Sequence, residues 1–267
     1  MSTVKSADGT TIAFDATGAG RPLIMIDGAT AHRAVNPSNA EVAKLLSDEF
    51  RVYVYDRRGR GESTDTKPYA IQREIEDLAA LIEDAGEPAI LFGWSSGGLL
   101  ALDAAAAGLP IAALALFEPP VVVDDARPPL PTDYVERLEA GVEAGRPGDA
   151  VELFMTAAAL MPPEFVDAMR GTPIWTGVEQ IAGTIAYDGR IMGTTMSGNP
   201  LPTDRWSAVN VPVLVMHGDN TPPYLKVGPE AVAELLPTAR LLPVPGENHN
   251  VEPPVLAPVL RDFAKEL

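Results

Sequence analysis

Residues Ile90-Leu91-Phe92-Gly93-Trp94-Ser95-Ser96-Gly97-Gly98 constrain the fold of this chain more than any other stretch. An apolar run gives way to a serine with glycine two positions to either side, and an Ala/Leu-rich segment follows. The pattern predicts a buried strand, a sharp turn with Ser95 at its apex, and a helix over residues 97–107. Side chains at 93 and 97 would collide across so tight a bend, and glycine removes the collision. The helix N-terminus points back at the turn, so the Ser96 amide can face developing negative charge. A serine hydroxyl is a weak nucleophile at neutral pH and needs a base and an anion trap. The rest of the chain must supply both.

Around this turn, short β-rich runs alternate with helical ones, which predicts an α/β fold with a mostly parallel sheet flanked by helices. Residues 3–4 and 11–16 read as an opening hairpin around Asp8-Gly9. Strands follow at 23–26, 52–55, 113–117, 213–216 and 241–244, with helices at 36–47, 71–85 and 254–267. In the second helix Ile71, Ile75, Leu78, Leu81 and Ile82 have the spacing of one buried face.

Residues 121–204 behave differently from the core segments 1–120 and 205–267: they are helix-prone, proline-rich and without strong strand runs. Helices are expected at 133–144, 148–158, 164–169 and 176–187, forming a cap inserted between two core strands and roofing the Ser95 turn. Trp94, Phe154, Met161, Trp175, Tyr187 and Met192 are candidate pocket residues for a hydrophobic substrate.

The formal net charge of -17 disfavours nucleic acid and anionic membranes, since phosphate binding needs clustered Lys and Arg. There is no apolar leader in residues 1–14 and no run of membrane-spanning length, so a cytoplasmic monomer or homodimer acting on a small molecule is expected. The absence of cysteine excludes disulfides, thiolate catalysis and cysteine-based zinc sites.

Three histidines are available as the base: His32, His217 and His249. His249 lies between the last strand and the last helix, on the carboxyl-end rim of the sheet shared with Ser95, and is the expected base. His217 ends a strand and reads as structural, while His32 follows the Asp27-Gly28 turn and is a possible accessory residue. For the acid, Asp219 in Met216-His217-Gly218-Asp219 is favoured, in the chain order Ser, Asp, His; Glu118, after the 113–117 strand, is the competitor.

These residues resemble the α/β-hydrolase superfamily. Gly93-Trp94-Ser95-Ser96-Gly97 looks like its nucleophile elbow and Asp56-Arg57-Arg58-Gly59-Arg60-Gly61-Glu62-Ser63 like its D-x-R-G-x-G-x-S loop, and Asp219 and His249 fall where its acid and base fall. The resemblance implies an eight-stranded sheet, a helical cap, no organic cofactor and no metal. It is closest in kind to small esterases, lactonases and cofactor-free haloperoxidases. One departure is Asp27-Gly28-Ala29-Thr30, where family members read His-Gly in the loop that supplies the second oxyanion-hole amide beside Ser96. Backbone amides of Gly28 and Ala29 can still serve if the Asp27 carboxylate is held within its own turn. The leading expectation is a serine hydrolase of an ester, lactone or related carbonyl compound. The alternatives are a non-hydrolytic eliminase, cyclase or acyl transferase in which Asp27 or His32 moves a proton, and more remotely a ligand receptor.

Overall fold

The computed structural model describes all 267 residues. The chain opens with antiparallel strands β1 (Ser2–Lys5) and β2 (Thr11–Thr17), followed by β3 (Arg21–Ile26), helix α1 (Pro37–Leu46), β4 (Phe50–Tyr55) and helix α2 (Ile71–Ala85). Next come β5 (Ala89–Trp94), α3 (Ser96–Ala106) and β6 (Ile111–Phe117). Between β6 and β7 (Val213–Gly218) lies a helical insertion: α4 (Tyr134–Glu143), α5 (Pro147–Leu153) continuing into a π-helical turn (Phe154–Ala158), α6 (Pro163–Met169), α7 (Pro173–Gln180), a 3-10 turn (Ala182–Thr184) and α8 (Ile185–Met192). Helix α9 (Pro223–Leu235), strand β8 (Ala239–Val244) and helix α10 (Pro253–Lys265) complete the chain.

The eight strands form one sheet in the order β1-β2-β4-β3-β5-β6-β7-β8, antiparallel over the first three positions and parallel from β4 to β8. The inner strands are apolar almost throughout because both faces are buried. In β3, Ile24 and Ile26 face the core under α2, α3 and the insertion, whereas Leu23 and Met25 face the core under α1 and α10. Strand β6 divides the same way, Leu114 and Leu116 on one side and Ala113, Ala115 and Phe117 on the other. No helix is long and apolar enough to cross a membrane.

Strand order places the loops that matter. From β3 the chain steps outward to β4, and from β5 it steps the other way to β6, so the loops leaving β3 and β5 diverge above a crevice. Ile26 is in register with Gly93 and Phe117 with Trp94, so the residues after β3, β5 and β6 emerge side by side. Helix α9 was not among the helices expected from sequence; Pro223 occupies its first turn, where a missing N–H costs nothing, and Pro229 lies inside it. The single helix expected at 176–187 is two, interrupted by the 3-10 turn at Ala182-Gly183-Thr184.

Candidate active site

Ser95 has φ 51° and ψ −123°, a strained conformation for a residue with a Cβ. A Cβ on Gly93 would lie 2.5 Å from the Gly97 carbonyl oxygen, and one on Gly97 would lie 2.5 Å from that of Ile26. The strand-turn-helix therefore closes only with glycine at both places. Ser95 N–H donates to Phe117 O (2.9 Å), tying the apex to β6.

The imidazole of His249 is anchored by Glu118: Nδ1 lies 2.5 Å from Oε2 of a carboxylate that is 98% buried. The other oxygen, Oε1, accepts from Gly218 N–H (2.9 Å). Burial pushes the Glu118 carboxyl up, but His249 and the Gly218 amide outweigh it and hold the group below its ordinary value. Asp219 does not reach His249. It is exposed, and its Oδ1 accepts from Gly246 N–H (3.1 Å), bracing the loop that carries His249. The expectation favouring Asp219 over Glu118 as the histidine's partner is thus corrected in the geometry. Glu118 turns inward at the end of β6 and is buried against His249, whereas Asp219, past the end of β7, turns outward to the Gly246 amide. His249 and Glu118 also have positive φ, 61° and 45°.

The loop after β3 packs directly on the elbow. A Cβ on Gly28 would come within 3.1 Å of Ser95 Cβ and 3.2 Å of Trp94 O, so a side chain here would have to push the elbow back by a few tenths of an ångström. Arg57 Nη1 donates to Asp27 O (3.2 Å) and Arg60 Nη1 to Gly28 O (2.6 Å). In a trans peptide the N–H points opposite to its C=O, so the two bonds turn the Gly28 and Ala29 amides away from the arginines. Both guanidiniums are buried and meet Asp188 of α8, whose Oδ1 accepts from Arg57 (2.6 Å) and from Ser96 Oγ (2.7 Å) and whose Oδ2 pairs with Arg60. Burial opposes charge on Asp188, but the two arginines hold its carboxyl below the ordinary value. Glu74 completes the set with two 2.7 Å bonds to Arg57.

Asp27 is not held within its own turn. Its Oδ1 accepts from the side-chain amides of Asn36 (2.6 Å) and Asn39 (2.8 Å) at the start of α1, while Oδ2 is buried without a partner. Burial, only partly offset by these amides and by Arg57 and Arg60, pushes its pKa up to about 6. Ser95, Ser96, Asp27, Gly28, Ala29, Glu118 and His249 all line one cavity of about 480 Å³ between the sheet rim and the insertion. The His249 ring bonds to Glu118, and no hydrogen bond joins it to Ser95 Oγ.

The family of alpha/beta hydrolases matches residues 28–260 of the chain. This protein belongs to that family. A crystal structure of an alpha/beta hydrolase from Sphaerobacter thermophilus is 46% identical, with a TM-score of 0.88 over 98% of this chain and 100% of that one. A non-heme chloroperoxidase of Streptomyces lividans is 28% identical over 99% of this chain and 100% of its own. A pimeloyl-[acyl-carrier protein] methyl ester esterase of Stenotrophomonas maltophilia is 36% identical over 105 residues, only 38% of its length.

Of the pocket residues expected in this hydrolase, Trp94, Phe154 and Met192 line the cavity. Met161, Trp175 and Tyr187 do not. Trp175 is buried within the insertion with the Arg170 guanidinium over its ring, and Tyr187 stacks on Tyr69 and donates to Asp65 Oδ2 (2.6 Å). Met161 packs against the core. His32 forms the turn before α1, its carbonyl accepting from Val35 and Asn36, and is not part of the lining. His217 is buried, with Nδ1 against Gly218 O (2.9 Å). The residues that sequence reading missed are Asp188 and Arg127. Arg127 had a signal, the sole cation of the proline-rich segment between Asp125 and Asp133, but nothing in the sequence says that this stretch folds over the cavity.

Proposed function

We propose that this family member is a serine hydrolase of esters, lactones or related carbonyl compounds, with Ser95 as nucleophile, His249 as base and Glu118 as the residue that orients and charges the base. The observation that carries the reading is the imidazole of His249 held on a buried carboxylate in the cavity that Ser95 faces. With Nδ1–H committed to Glu118, Nε2 is the free acceptor. It takes the Ser95 proton as Oγ adds to the carbonyl carbon, and the buried carboxylate stabilises the resulting imidazolium. The amides of Ser96 and Ala29, with Gly28 beside them, receive the oxyanion at the α3 N-terminus. His249 then returns its proton to the departing alkoxide, and the acyl group stays on Ser95. Water, deprotonated by His249, adds to the acyl carbon, and Ser95 leaves as it regains the proton. The helical insertion serves as the cap that excludes bulk water from these steps.

A chromogenic acyl ester tests the reading. Wild type is expected to release a burst of one chromophore per chain before steady state, and Ser95→Ala to lose both phases. A burst unchanged in Ser95→Ala would contradict it. The unpartnered Oδ2 of Asp27 favours one second reading, proton transfer by Asp27 in a non-hydrolytic reaction. Under that reading Asp27→Asn abolishes turnover, whereas under hydrolysis it preserves or raises it by removing a carboxylate near the oxyanion.

A further inference from the structure

Four arginines of the chain are buried: Arg57, Arg58, Arg60 and Arg127. The first three are paired with carboxylates, Arg57 with Glu74 and Asp188, Arg58 with Asp8 and Asp77, and Arg60 with Asp188. Arg127, 93% buried, has no carboxylate within ion-pair distance. Its Nη1 donates to Ala158 O (3.0 Å), its Nη2 to Ala157 O (2.7 Å) and its Nε, at 3.4 Å, to Pro128 O. Carbonyl dipoles fix the guanidinium but do not cancel its charge. A guanidinium carries five N–H groups, so two remain without a protein acceptor, one on each terminal nitrogen. Burial weakens the hold on its proton, though an arginine stays charged at any physiological pH.

A buried charge without a counter-charge is costly, and folded chains ordinarily pair it. Arg127 lines the same cavity as Ser95 and is the sole Arg or Lys that does. The other charged groups of that wall are already engaged: Glu118 with His249, Asp188 with two arginines and Ser96, and Asp27 with Asn36 and Asn39. The bonds to Ala157 and Ala158 also fix the guanidinium against the π-helical turn of the insertion, the element that supplies Phe154 and Ala158 to the cavity.

We propose that Arg127 is a specificity determinant and that the substrate carries a carboxylate, which two free guanidinium N–H groups receive while Ser95 attacks a separate ester or lactone carbonyl. The substrate class is therefore a monoester, or lactone, of a dicarboxylic acid or of an acid bearing a second acyl function. A carboxylate matches the two donors in number, and the low-dielectric wall strengthens its bond to them. This inference rests on the serine-hydrolase reading for its chemistry but not for its binding half.

The test compares mono-4-nitrophenyl esters of the four-, six- and eight-carbon diacids with the 4-nitrophenyl esters of the monoacids of equal length, on wild type, Arg127→Met and Arg127→Lys. For at least one length wild type is expected to prefer the anionic ester. Arg127→Met is expected to lower kcat/KM for that ester about 10- to 100-fold more than for the neutral ester, the difference being the loss of a charge-assisted pair and any shared loss the loosened π-helical turn. Arg127→Lys, which keeps the charge and loses the fork, falls between. Equal losses on both esters, or a wild type with no anionic preference at any length, would overturn the assignment. Calorimetric binding of succinate, adipate and suberate to Ser95→Ala separates this proposal from the hydrolase reading. Binding that disappears in Ser95→Ala/Arg127→Met supports Arg127 even if no ester is cleaved, and no binding of any diacid argues against it even if neutral esters are.

Discussion

At the scale of single residues, the site is built from positions that fold at a cost. Ser95, Glu118 and His249 all have positive φ, and Gly28 leaves the β3 loop in close approach to the serine. Ser95 and His249 were legible in the sequence because each rests on local pattern, a glycine-bracketed turn and a loop between the last strand and helix. Asp27 was flagged there, but not its surroundings: the amides of Asn36 and Asn39 are nine and twelve residues away, beyond any turn pattern. Its burial has a thermodynamic consequence. With a carboxyl that ionises near 6 when folded and at an ordinary 3.8 when unfolded, the folded chain holds an extra proton between those values. Its contribution therefore falls as pH rises from about 4 to about 6. Asp27→Asn removes that penalty, so urea unfolding is expected to show the variant gaining roughly 2 kcal/mol on wild type across that interval. A constant difference between the two proteins from pH 4 to pH 7 would show that Asp27 ionises normally in the fold.

At the scale of elements, helix α8 is tied to the loops around Ser95 through one carboxylate. Asp188 joins the insertion to Arg57 and Arg60, which orient the β3 loop, and to Ser96 at the head of α3. Asp188→Asn would leave Arg60 buried with only neutral partners, so a loss of about 3 kcal/mol is expected from denaturant midpoints, together with faster proteolysis of the insertion. A change below about 0.5 kcal/mol would show that the ion set does not hold the insertion down. The insertion was also the least legible part of the chain. Its apolar composition suggested pocket-lining aromatics, but the direction of Trp175 and Tyr187 depends on helix phase, and the expected helix at 176–187 breaks at Ala182–Thr184. Both rings turn to packing partners rather than the cavity.

At the scale of the whole molecule, the sheet brings the loops that follow β3, β5, β6 and β8 to one cavity. The parallel sheet and the place of each strand followed from apolar runs, since strands buried on both faces are apolar almost throughout, though β3, β4, β6 and β8 each begin two residues before the expected start. The direction in which a side chain leaves a strand end is carried by no local pattern, and the choice between Glu118 and Asp219 depended on it. The residue leaving β6 turns inward and reaches His249, and the residue leaving β7 turns outward and reaches only the Gly246 amide. The most direct test of this arrangement is kcat on one acyl ester for wild type, Glu118→Gln and Asp219→Asn. A neutral amide at 118 can neither stabilise the imidazolium nor hold the productive tautomer, so Glu118→Gln is expected to lose roughly 10²- to 10⁴-fold. Asp219→Asn keeps an acceptor for the Gly246 amide and is expected to stay within about threefold. A large loss in Asp219→Asn with Glu118→Gln near wild type would contradict the account.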